Sequence, residues 1–169
     1  DYCVAQAVGN APLGDGQDTF VKIKRDKGGL IMDSGDTNGK VSGSGHHSFF
    51  NYKGQMYAIY HRHSNPATGG TQRELAVDTV IWVTNPDNLP VLHMNGCTTT
   101  LQPAVHSPYT NLALDATVTA SGSYANLEAI NDGAFITHAY DNWLKEFEAN
   151  GESATVKFAF GEYRTIAGI

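Results

Sequence analysis

Alternation of side chains with a period of two constrains this chain more than any other feature. Across residues 55–64, Met56, Ala58, Tyr60 and Arg62 fall on one side of an extended strand. Tyr57, Ile59, His61 and His63 fall on the other. Both sides open with apolar residues, which predicts a strand buried on both faces. The period recurs over residues 19–24, where Phe20, Lys22 and Lys24 oppose Val21 and Ile23. It recurs again over 155–160, where Val156, Phe158 and Phe160 oppose Lys157 and Ala159. Residues 73–83 form a β-rich run ending in Val80-Ile81-Trp82-Val83. Helical patterning is confined to 125–130 and 142–149, each enough for a short helical turn. Turn chemistry separates the runs: Leu13-Gly14-Asp15-Gly16, Lys27-Gly28-Gly29, Lys53-Gly54, Asn65-Pro66 and Gly69-Gly70. Strands spaced this way, with no crossover helices, predict an all-β fold such as a sandwich or a propeller.

Composition narrows the function classes. The net charge of −6 argues against a broad nucleic-acid footprint. No run approaches the roughly 18 consecutive apolar residues of a membrane helix. Residues 98–110, with Thr98-Thr99-Thr100, Pro103 and Ser107-Pro108, have linker composition. They divide the chain into 1–97 and 111–169. The chain starts and stops inside strand-like apolar segments, so it is expected to be part of a longer polypeptide. Cys3 and Cys97 are either one disulfide of a secreted protein or two buried thiols; a pair makes no disulfide framework, which favours thiols.

Three groups of residues can carry chemistry. Gly43-Ser44-Gly45-His46-His47-Ser48 is a glycine-rich segment whose small residues let a ligand approach the backbone. His61 and His63 share one strand face with Cα atoms about 6.6 Å apart. With His46 they form a candidate zinc triad, against the plainer reading of structural histidines on a buried strand. Gln72-Arg73-Glu74 supplies a guanidinium whose planar fork suits a hydroxyl or carboxylate, or else an exposed ion pair. Glu74 and Asp78 share a strand face, but about 13 Å between their Cα atoms makes a poor acid/base pair for glycoside hydrolysis. The sequence contains no phosphate-binding loop, no nucleophile elbow and no CxxC.

Taken in order, Tyr2-Cys3-Val4-Ala5-Gln6-Ala7, Ala11-Pro12-Leu13-Gly14, Gly43-Ser44-Gly45-His46-His47-Ser48, Tyr57-Ala58-Ile59-Tyr60-His61-Arg62-His63 and Arg73-Glu74-Leu75-Ala76-Val77-Asp78 resemble the C-terminal part of glycoside hydrolase family 43. The resemblance covers about residues 1–95. It implies the last blades of a five-bladed β-propeller that cleaves arabinose- or xylose-containing plant polysaccharides with inversion. It implies that His46 lies near the propeller axis, beneath the sugar, where a calcium ion is often held. It implies that Arg73 reaches the substrate. The catalytic carboxylates would precede Asp1, and His61 and His63 would be structural.

Residues 111–169 resemble the opening of a coagulation factor 5/8 type C, or discoidin-like, domain. The resemblance rests on Asn111-Leu112-Ala113-Leu114, Val118-Thr119-Ala120-Ser121, Ala129-Ile130-Asn131-Asp132-Gly133, Asn142-Trp143 and Ala154-Thr155-Val156-Lys157-Phe158 with Ile166-Ala167-Gly168-Ile169. It implies half of a β-sandwich used as a carbohydrate-binding module. Asp132 matches a calcium-loop carboxylate, although the usual Asn after the glycine is Ala134 here. The expected protein is therefore a secreted, cell-surface or periplasmic glycosidase without a membrane span. Its partners would be cell-wall polysaccharide and the remainder of the same polypeptide. The rival readings are a non-catalytic sugar-binding or adhesion protein, and a histidine-metal hydrolase.

Overall fold

A computed structural model describes residues 3–9, 20–33, 40–67, 71–99, 110–136 and 141–166. The chain is all-β, and among the described residues only short 3₁₀ turns interrupt the strands. It divides into two compact units, Asp1–Gln102 with Ile136–Trp143, and Pro103–Phe135 with Leu144–Ile169.

In the first unit, β1 (Cys3–Ala5) pairs with β4 (Leu30–Asp33), and β2 (Ala7–Val8) pairs with β3 (Val21–Lys22). A four-stranded antiparallel sheet follows: β5 (Gly45–Tyr52), β6 (Gln55–His63), β7 (Arg73–Thr84) and β8 (Pro90–Met94), each paired with the next. Lys53 and Gly54 close the β5–β6 hairpin with φ of 50° and 85°. Two consecutive positive φ angles make the turn whose twist matches the flanking strands. The connection after β7 is held by Asn85, whose Oδ1 accepts from the Asp87 and Leu89 amides.

The two faces predicted for residues 55–64 are real. Register places Ala58 opposite Asp78, Tyr60 opposite Ala76, and Val80 between Met56 and Met94. This face packs on Ile31 and Met32 of β4, and on Val41, to form the core. Tyr57, on the other face, is also buried, and its ring stacks on Phe50 at 5.3 Å between centroids.

Gln6 breaks the N-terminal run that the sequence presents as one strand. Its side-chain Nε2 donates to the carbonyls of Gly28 and Leu92, at 2.6 and 2.8 Å. Its Oε1 accepts from the Leu92 amide at 3.0 Å.

In the second unit, β9 (Thr117–Ser121) pairs with β12 (Thr155–Ala159). The pairing sets Val118, Ala120, Val156 and Phe158 on one half-buried face. Of the two predicted helical turns, one appears as a 3₁₀ turn at Leu127–Ile130. The stretch 142–149 instead holds a turn and then β11 (Glu148–Ala149). That strand gives its backbone to β10 (Tyr124–Ala125), a pairing that helical patterning cannot reveal. Cys3 and Cys97 are both free thiols; Cys97 is buried and Cys3 is exposed.

Met32 is fully enclosed, whereas Leu75 on β7 is 70% exposed. Met32→Ala is expected to cost about 2–5 kcal/mol through lost transfer energy and a residual cavity. Leu75→Ala should stay within about 0.5 kcal/mol. Urea unfolding midpoints of the two variants check this.

Candidate functional site

One end of the four-stranded sheet collects the residues singled out in the sequence. The β5–β6 register shifts between Gly45, which faces His61, and Ser48, which faces Ile59. This bulge leaves His46 and His47 opposite a single residue, and bulges re-aim side chains in this way. His46 has φ of 50° and is exposed. Its ring lies 5.9 Å from the His61 ring, centroid to centroid. The structure makes Gly45, within this glycine-rich segment, the first residue of a strand.

His63 closes the group from the next position on its strand face. Its amide donates to the Ser42 carbonyl, and its Nδ1 lies 2.8 Å from Ser42 Oγ. The imidazole covers Gly43, where a Cβ would come within 2.5 Å of Nε2. Only glycine fits there, and φ of +66° removes any other choice. Register sets Arg73 directly opposite His63. Arg73 is exposed, and its Nη1 donates to the Gln72 carbonyl at 3.3 Å. Desolvation lowers the His63 pKa below its ordinary value, and the positive charges of Arg73 and then His61 add to this. His46, His61, His63 and Arg73 thus form one corner, fixed by a bulge and a register.

Sequence reasoning missed Ser42, although its position beside Gly43 was a usable signal. It also missed the polar centre under the opposite face. Asp78 is 1% exposed, and three donors converge on its carboxylate. Tyr60 Oη donates to Oδ2 at 2.5 Å, the Thr98 amide to Oδ2 at 3.2 Å, and Thr98 Oγ1 to Oδ1 at 2.6 Å. A Cβ on residue 96 would come within 2.4 Å of the Asp78 carboxyl carbon and Oδ2. Burial raises the Tyr60 and Cys97 pKa values, so both side chains stay protonated. Arg62 Nε donates to Glu74 at 2.7 Å while its Nη1 donates to the Thr98 carbonyl. Glu74 therefore pairs with Arg62, and Asp78 belongs to the packing of the core. A second buried polar pair, His93 and Asp141, lies 3.8 Å apart.

Calcium takes about six to eight oxygen ligands. Among the described residues, no group of three or more His, Cys, Asp or Glu side chains is placed to hold a metal ion. His63 is turned to Ser42 and Gly43, which removes it from a zinc triad with His46 and His61. Asp132 Oδ1 accepts from the Ala134 amide at 2.8 Å, the bond of a plain Asx turn. In the same unit, Leu112, Asp115, Phe160, Gly161, Glu162 and Arg164 line a groove of about 390 Å³.

No protein-family model, curated protein or solved structure matches the chain.

Tyr60→Phe removes a charge-assisted hydrogen bond from a buried carboxylate and is expected to cost about 1.5–3 kcal/mol in thermal or urea unfolding. With a thiol-reactive chromophore the native protein should yield one reactive cysteine, Cys3. In denaturant it should yield two, because burial both shields Cys97 and holds its thiol protonated.

Proposed function

We propose that the chain is part of a secreted glycoside hydrolase of the family-43 kind, acting with inversion on arabinose- or xylose-containing polysaccharides. Residues 1–97 would supply the closing blades of its propeller. Residues 111–169 would open an appended sugar-binding module, with the groove beside Phe160 and Arg164 as its candidate contact surface. One observation carries the reading. A four-stranded antiparallel meander, the form of a propeller blade, gathers His46, His61, His63 and Arg73 at one end by a bulge in β5 and the β6–β7 register.

The roles follow from side-chain chemistry. Arg73 presents donors in a rigid fork that matches two adjacent sugar oxygens. His46, exposed on the bulge, offers a further donor or acceptor to a ring hydroxyl. Elsewhere in the polypeptide one carboxylic acid would protonate the leaving oxygen while a carboxylate activates water on the opposite face. The second reading is a sugar-binding protein without hydrolysis, in which the propeller has lost those carboxylates.

Assay of the full-length enzyme, with the part of the polypeptide that carries the carboxylates, on aryl arabinofuranosides and xylosides, with NMR detection of the first-formed anomer, separates the two readings. Release of the inverted sugar is expected. Arg73→Ala should lower kcat/KM by about 10- to 150-fold, from one or more lost charge-assisted hydrogen bonds of roughly 1.5–3 kcal/mol. Arg73→Lys should recover only part of this, since the fork is lost. Unchanged kinetics in both variants would assign Arg73 to the surface.

A further inference from the structure

We propose that Asn150 is a site of spontaneous covalent modification: the amide nitrogen of Gly151 attacks its carboxamide, and water opens the resulting ring to aspartate and isoaspartate. This chemistry belongs to the second unit and is independent of any sugar binding.

The sequence holds three Asn-Gly pairs, Asn38-Gly39, Asn95-Gly96 and Asn150-Gly151. The first lies outside the described residues. Ring closure makes three demands on such a pair. The glycine amide must be free to give up its proton. Its carbon must carry no side chain that hinders approach to Asn Cγ, which glycine satisfies. The backbone must be able to turn between the two residues, which a strand ladder or close packing prevents.

Asn150-Gly151 meets all three. Both residues are exposed, in the bend between β11 and β12. The Asn150 amide donates to the Ser123 carbonyl at 2.9 Å, so the main chain is anchored as far as the reacting residue. Among the described residues, no hydrogen bond holds the Asn150 carboxamide or the Gly151 amide. A Cβ built on Gly151 would meet no atom within 4 Å. Asn95-Gly96 has the same sequence and the opposite surroundings. Asn95 is buried, its amide donates to the Thr79 carbonyl at 2.9 Å, and its Nδ2 donates to Thr79 Oγ1 at 3.3 Å. Gly96 is pressed against the Asp78 carboxyl group. Ring closure at Asn95 must wait for that part of the sheet to open.

The step needs water and no oxidant or reductant. A base, hydroxide in alkaline solution, takes the Gly151 amide proton. The nitrogen bonds to Asn150 Cγ, and the side-chain nitrogen leaves as ammonia. Water then adds to either ring carbonyl. Breaking the new bond to Cγ leaves an ordinary aspartate. Breaking the original peptide bond routes the main chain through Cγ and lengthens it by one carbon. Either product adds a negative charge between Glu148 and Glu152, one residue beyond the Tyr124–Ala149 pair that ends the β10–β11 ladder.

The test is peptide-resolved mass spectrometry of the whole chain after prolonged incubation in mildly alkaline and mildly acidic buffers. In the native protein, Asn150 should convert at least about tenfold faster than Asn95, which reacts only from an opened state. Isoaspartate should accompany aspartate, and alkaline buffer should speed the conversion. Denaturant should bring Asn95 to within about threefold of Asn150, because the protection is structural. Gly151→Ala has room for its methyl group and should slow conversion at Asn150 by about tenfold or more, since the side chain hinders approach. An NMR spectrum of that variant confirms that it is folded. Native Asn150 converting no faster than Asn95 would overturn the proposal. So would an unchanged rate in Gly151→Ala, or aspartate formed without isoaspartate, since either removes the Gly151 nitrogen from the reaction. An Asn95 that stays unreactive in denaturant would overturn the claim that burial sets the contrast.

Discussion

A carboxylate shut away from water sets the terms for one face of the four-stranded sheet. Asp78 lies in the middle of β7 with apolar neighbours on the same face, Ala76 and Val80. An unsatisfied charge there would cost more than the packing around it returns. The structure meets that demand from two directions. Tyr60 reaches across from β6, and Thr98 supplies both backbone and hydroxyl donors after β8. The close approach of residues 96–98 excludes a side chain at Gly96 and brings Cys97 beside Tyr60 and Ser44. Arg62 then grips the same turn through the Thr98 carbonyl. One acidic side chain thereby ties β6 and β7 to the segment after β8.

The corner at the end of the sheet depends on this order. Ser44, at the edge of the polar centre, lies in the segment whose neighbours Ser42 and Gly43 seat His63, and whose continuation is the bulge that turns out His46. The buried face holds the strands in register, and the register sets Arg73 opposite His63. A core interaction and a surface constellation are thus two ends of one stretch of chain.

Much of the fold was legible where long alternation speaks for itself. Residues 55–64 and 73–83 became β6 and β7 nearly to the residue, and 155–160 became β12. Lys53-Gly54 marked its hairpin. Shorter strands were less visible, because two or three residues carry no period. The strand Pro90–Met94 lacked contrast: Leu92 and His93 sit side by side, and the buried positions include a histidine. At the site, the histidines and Arg73 stood out by type and spacing. The bulge that brings His46 to His61 did not, since a register shift depends on the partner strand. The roles of Asp78 and Thr98 depend on contacts between residues 20 apart in sequence, which no local pattern encodes.

Gln6 illustrates a different economy. A sheet edge exposes a row of peptide groups that any other extended chain can pair with. At Leu92, both outward-facing groups of β8 are taken by one carboxamide, which has the donor and acceptor of a peptide bond without the strand attached. The same carboxamide also takes the Gly28 carbonyl. A glutamate in its place would keep the acceptor but turn the donor into a second oxygen facing two carbonyls. At that point along the outer edge, protection against recruiting a neighbouring molecule rests on the nitrogen of a single side chain.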